Sequence, residues 1–142
     1  MADATHIDIL YEGVEAWNEW RRKNPGEKPN LVGEDLSEMD LTGVNLGEAD
    51  LTDAELFQAD LTEANLKMAV LTRADLAGSD LTGAALYKAD FSGACLIEVN
   101  LTGASLGAAN FSGADLRGTK LRGADCDGTV LSDANLSEAD LT

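Results

Sequence analysis

Three groups of side chains in this chain have the types and spacing to do chemistry. The first is a set of carboxylates, Asp40, Asp60 and Asp80, that recur every twenty residues. If the chain closes a turn in twenty residues, they stack about 5 Å apart, close enough to share a cation such as Ca²⁺. The same stacking arises if each Asp only supports its own bend, and on that more economical reading no metal site is assigned. The second group is nucleophilic: Cys95, Cys126 and the many hydroxyls, with His6 as the sole histidine. His6 sits at the start of a predicted helix, and no Cys–His or Ser–His pair can be built from it within the rest of the chain. The third is glycine, which recurs every five or ten residues as a bend residue and never as a phosphate-cradling GxxxxGK[ST] loop. Catalytic residues and cofactors are therefore none, and the chain reads as a non-enzyme.

What positions these groups is a register of five. Of the 23 positions 31, 36, 41 and onward to 141, 20 are Leu, and the exceptions Phe91, Phe111 and Cys126 are also apolar. On an α-helix a step of five advances about 500°, which forms no stripe. On a straight strand an odd step alternates faces. The pattern fits one short extended segment and one bend per five residues, with centres such as Leu31, Leu51, Leu71, Phe91, Phe111 and Cys126 pointing at a common axis. Two residues before the centre, Ala occupies 15 of 22 positions, so a small inward residue accompanies each large one. One residue before it, Asp or Asn occupies 16 of 23, suited to bonding nearby amides at a bend. Two residues after it, Gly is frequent, suited to positive φ.

This A(D/N)Lxx pattern, as in Ala49 to Asp53 and Ala59 to Glu63, resembles the pentapeptide repeat family over residues 30–142. The resemblance implies an all-β solenoid, a right-handed quadrilateral β-helix with four pentapeptides per coil and about five and a half coils. An independent hint of an even number of sides comes from the residue after the centre. It is Ser or Thr at 10 of the 11 positions 42, 52, 62 through 142, and rarely so in the alternate phase. Phe91 and Phe111, twenty apart, would stack in adjacent coils. One of the two remaining faces then carries Phe57, Ala77, Ile97 and Arg117; the other carries Lys67, Tyr87 and Asp127. Phe57, Ala77, Ile97 and Tyr87 are the candidate interaction residues.

Residues 1–29 form a separate unit, an N-terminal α-helical cap and linker before the repeats of 30–142. Ile7, Leu10, Val14 and Trp17 share one face of a helix, Thr5 and Asp8 suggest a capping box, and Arg21, Arg22 and Lys23 suit its C-terminal end. Asn24, Pro25 and Gly26 end it. The segment EAWNEWRRKNP (15–25) is similar to the leading helix of many cyanobacterial members of the family. The cap covers Leu31, Leu36, Leu41 and Leu46, with Trp20 packed on the first coil. The pattern stops mid-repeat at Thr142, so either the natural chain runs on or the coil with Leu131, Leu136 and Leu141 meets a partner, for which a homodimer through the uncapped C-terminal coil is one expectation.

Charge carries what functional content there is. The net charge is −16, of which the repeats hold −14. Spread over coils about 4.8 Å apart, this approaches one negative charge per ~2 Å, against one per ~1.7 Å of duplex DNA. Direct nucleic-acid binding is disfavoured. No apolar run spans a membrane and no signal peptide precedes the helix, and two cysteines on different faces stay free, so a cytoplasmic chain is expected. The function expected is that of an acidic β-helix acting as a protein–protein interaction module with an unknown partner. The alternative, implied by resemblance to the gyrase-protecting members of the family, is DNA mimicry at DNA gyrase or another DNA-binding protein. Acidity that serves solubility alone accounts for the same charge.

Overall fold

The computed structural model describes all residues 1–142. Its regular secondary structure is limited to two helices, α1 (Ala4–Tyr11) and α2 (Val14–Lys23). Asp3, and not Thr5, caps α1, its carboxylate accepting from the amides of Thr5 and His6. The predicted single helix is broken at Gly13, whose φ of 115° lies outside the range that other residues adopt easily. Helix α2 ends on Arg21, Arg22 and Lys23, which face the negative end of its dipole.

From Asn30 onward every five residues make one corner. The amide three residues after each centre donates back to the centre's carbonyl, as Ala54 does to Leu51 (3.0 Å). The residue two after the centre takes positive φ throughout, from Gly33 to Glu138. A positive φ confined to that position is the mark of a type II turn. Glycine supplies it at Gly83 or Gly113, while Asp53, Met68 and Ala108 adopt it against the preference of an L-residue. The acidic residue before the centre braces the entry to the turn: Asp60 Oδ1 accepts from the Thr62 amide at 2.9 Å. In Asp50–Thr52 the threonine hydroxyl donates to the same oxygen (2.6 Å).

Neighbouring coils are offset by twenty residues. The amide of each centre donates to the coil that follows, Leu61 to Asp80 O at 2.7 Å, and the amide before the centre donates to the coil that precedes, Asp60 to Met39 O at 2.9 Å. Parallel single-residue bridges such as Asp60↔Asp80 repeat from Asn30 to Asp140.

These facts correct the expected all-β class. No β-strand or sheet forms, so the strand-walled solenoid and the right-handed quadrilateral β-helix implied by the resemblance do not describe the chain. The physical reason lies in the period itself. With a turn in every five residues, one residue at a time is left to bridge the coils above and below, and a strand needs a run of them. What stands instead is a stack of four-cornered coils made of turns, clamped by isolated bridges and preceded by two helices.

The core runs along the axis. Leu31, Leu51, Leu71 and Phe91 are fully buried, as are Ala54, Ala74 and Ala109. Phe91 and Phe111 stack with ring centres 4.8 Å apart and planes within 3°. Burial of a Leu contributes about 1.5–3 kcal/mol, which makes this column the main gross stabilising contribution.

Candidate functional site at the ends of the stack

The first coil has amides and carbonyls with no coil before it to meet them, and the N-terminal residues supply partners for several of them, though not for the amides of Asp35 and Asp40. Asp3 N–H donates to Asn30 O (2.9 Å), and Asn30 N–H donates to His6 Nδ1 (3.1 Å). Tyr11 Oη donates to Asp35 O (3.0 Å). Trp17 Nε1 donates to Asn45 O (2.7 Å), while Asn18 accepts from Asn45 N–H (2.8 Å) and donates to Gly43 O (3.0 Å). Arg21 reaches Gly47 O (2.9 Å) and Glu27 O (2.6 Å), leaving its Nε without a partner. Burial pulls Arg21 below its ordinary pKa, opposed by Glu48.

Fully buried Trp17 is the principal lid, with half-buried Trp20 tilted against it at 5.2 Å. His6, at the start of the first helix, is buried beside both rings, its own ring centre 5.0 Å from that of Trp20. Of these capping groups, the amphipathic stripe flagged Trp17. The roles of Tyr11, Asn18 and Arg21 depend on contacts 24 to 27 residues away, which no local pattern announces.

The C-terminal end has no such cover. The amides of Cys126, Leu131, Leu136 and Leu141 occupy the centre positions that donate to a following coil elsewhere, and none has a backbone partner. Leu131 is 39% and Leu141 67% exposed. Cys126, expected as an inward centre, is exposed, with no coil packed over it. Leu121, Leu131 and Phe111 line an apolar cavity of about 180 Å³ that opens at this end.

On the sides, Phe57, Ala77 and Ile97 fall in one column, each carbonyl accepting from the coil before it. Tyr87 falls in the column of Lys67 and Gly107, ten residues and so two corners away. The candidate interaction residues therefore occupy two opposite sides and do not converge. Phe57 and Tyr87 are exposed, while Ala77 and Ile97 are half-buried. The ring of Tyr87 lies close over Gly107, where a Cβ would come within 3.2 Å of it. Asp40, Asp60 and Asp80 each hold the amide two residues on, and no group of three or more His, Cys, Asp or Glu residues converges in a metal-binding arrangement. Bonds from the Thr62 hydroxyl and amide hold the Asp60 carboxyl below its usual range. Cys95 and Cys126 are free, both thiols pushed up chiefly by burial.

A twenty-residue coil with four turns, a column of centres and bracing Asp or Asn residues defines a class of repeat protein. Eight copies of the family description "Pentapeptide repeats" match residues 27–56, 54–93, 69–103, 94–125 and 109–142. The chain belongs to the pentapeptide repeat family. It is not an enzyme, as is general in that family.

Among solved structures, the chain is 27% identical to the pentapeptide repeat protein Rfr23 from the cyanobacterium Cyanothece 51142, covering 88% of this chain and 97% of that one, with a TM-score of 0.49. It is 32% identical to HetL of Nostoc sp. PCC 7120, a protein involved in heterocyst differentiation regulation, over 80% of this chain and 70% of that one, with a TM-score of 0.39. A thylakoid lumen protein of Arabidopsis thaliana is 28% identical, with 79% and 64% covered and a TM-score of 0.45. No match is found among curated proteins.

The functional expectation is corrected together with the fold class. Both the interaction module and the DNA mimic were built on an acidic β-helix, and the chain forms no strand from which such a scaffold could be made. Likeness to the quinolone resistance protein QnrB1 lends no support, at 18% identity and a TM-score of 0.38. No helix is long and apolar enough to cross a membrane.

Proposed function

We propose that the protein is a non-catalytic cytoplasmic building block that pairs with a second copy through its uncovered C-terminal coil. The observation that carries this reading is the unequal treatment of the two ends. Side chains of α1 and α2 meet several backbone groups of the first coil and bury its centres, while the last coil keeps unpaired amides beside exposed Leu131 and Leu141. An apolar surface rimmed by polar groups is what a symmetric contact between copies needs. Head-to-tail stacking is blocked because the helices occupy the other end, so a closed pair is the favoured assembly. The free thiols fit a reducing compartment.

Carboxylates on the last coil, including Asp133 and Glu138, oppose the contact by repulsion. Pairing therefore strengthens with added salt, which screens charges beyond about 10 Å at 0.1 M. Sedimentation across a concentration series is the test, with Leu141→Glu as the variant. A mass of twice 14.9 kDa that falls to one copy in the variant supports the reading. A single copy at every concentration and salt overturns it.

A further inference from the structure

We propose that His6 is a proton-operated latch, which holds α1 on the first coil while its ring is neutral and releases it when the ring becomes charged. The N-terminal residues grip both backbone groups of Asn30, where the repeats begin. Asp3 N–H donates to Asn30 O at 2.9 Å, and Asn30 N–H donates to His6 Nδ1 at 3.1 Å. An imidazole nitrogen accepts only while it carries no proton, so this bond requires the neutral ring with its hydrogen on Nε2. A proton on Nδ1 sets donor against donor and leaves the Asn30 amide without its acceptor. It also charges a ring that is 9% exposed and packed 5.0 Å from Trp20 and 6.5 Å from Trp17.

The division of bonds confines the release to α1. That helix is tied down near its two ends, by the Asn30 pair and by Tyr11 Oη, which reaches Asp35 O and Glu34 Oε1. Helix α2 has bonds of its own, from Trp17 to Asn45 O, from Asn18 to Gly43 O and from Arg21 to Gly47 O, and none passes through His6. Gly13 lies between the helices at a φ of 115°, a natural place for the chain to swing. At eight residues α1 is too short to hold its helix unaided, since isolated helices need about 12–15, so once released it frays.

Few charges surround the ring. Asp3 accepts from the His6 amide (3.4 Å) and favours the charged form, which helps the proton arrive. Helix α2 presents uncharged Trp17 and Trp20, with Arg21 one turn past Trp17 opposing a second cation. The first coil presents uncharged Asn30, with Lys28 two residues before it and Asp50 bridged to it from the next coil. The latch therefore holds at neutral and alkaline pH and is lost as pH falls through the imidazole range.

His6 is the sole histidine, and Trp17 and Trp20 are the only tryptophans, so one titration and one emission signal report on this cap alone. The test scans the full chain from about pH 8 to about pH 5, across the ordinary histidine range. Imidazole nitrogen shifts at the alkaline end should place the proton on Nε2. As pH falls, tryptophan emission should move to longer wavelength. The protection factor of the Asn30 amide should fall about tenfold while that of Leu71, in the middle of the stack, stays constant. His6→Asn sets a carbonyl oxygen near the place of Nδ1, which accepts without titrating, and should abolish the step with Asn30 still protected.

A proton on Nδ1 at the alkaline end, or equal protection of Asn30 at both ends of the scan, overturns the proposal. The same step in His6→Asn overturns it too, because the amino terminus, which titrates in a neighbouring range, is common to both proteins. So does loss of protection at Leu71 alongside Asn30, which marks unfolding of the stack and not release of a helix. The device acts at the covered end, and its failure leaves the pairing reading at the other end untouched.

Discussion

The two ends of the stack are built from the same repeat and differ in one respect. At the first coil, side chains from α1 and α2 stand in for a missing neighbour, so Leu31, Leu36 and Leu46 are fully buried. At the last coil nothing does, and the equivalent positions Cys126, Leu131 and Leu141 are exposed. A five-residue repeat therefore produces a core only where each coil has something on both sides. The repeat supplies the column, and neighbours decide whether it is interior or surface.

The largest test of that difference is to uncover the capped end. Trp17→Ala removes a buried ring and the bond to Asn45 O, and it should cost about 3–5 kcal/mol. Thermal unfolding followed by circular dichroism measures this, and light scattering should show growth beyond two copies because both ends are then adhesive. A soluble variant with an unchanged melt would mean the helices are ornamental.

The next test compares the same deletion in the middle and at the end. Leu71→Ala should lose about 2–5 kcal/mol, whereas Leu141→Ala should lose under about 0.5 kcal/mol in the single copy. Chemical denaturation of both variants decides it; equal losses would mean the last coil is as well covered as the middle.

Smaller gains are expected where the repeat works against itself. Ala108 holds a φ of 55° without glycine's freedom, and Ala108→Gly should gain up to about 1 kcal/mol. The hydroxyl of Ser79 is buried without a partner, unlike Thr119, which reaches Leu96 O at 2.8 Å. Ser79→Ala should gain about 1 kcal/mol in the same melts. A loss in either variant would reverse the corresponding argument.

The smallest effect concerns acid. Asp35 and Asp60 have carboxyls held below the usual range by their own turn, as does Asp140 at the end. Their stabilisation is present above the unfolded carboxylate range and disappears as pH falls through the lower folded values. Asp60→Asn keeps the acceptor for Thr62 and should flatten that dependence in the middle of the stack. Melting temperatures between neutral pH and about pH 2 provide the readout. An unaltered slope would mean that Asp60 plays no part in it.

Much of this was legible because the repeat is local. The centres, the small Ala beside each, the bracing Asp and the positive-φ corner all lie within five residues, so their spacing reports them directly. The absence of strands was not legible. A period of five says where the bends fall, but whether one bridging residue or several lie between them depends on the geometry of closing a coil in twenty residues. The break at Gly13 was masked by an apolar stripe that runs through it. His6, Tyr11 and Arg21 were misread or passed over because their partners Asn30, Asp35 and Gly47 are far along the chain. Cys126 looked interior because the pattern marks a centre without registering whether another coil lies over it.

The direction of the inter-coil bonds has a consequence for how the molecule comes into being. The covered end is the amino-terminal one, so it leaves the ribosome first and offers a finished platform before the next segment is made. Each further twenty residues then find unpaired amides already fixed in place, and add one layer at a time as translation delivers them. At every stage of synthesis the growing face presents unpaired centre amides and half-covered leucines like those at Leu131 and Leu141.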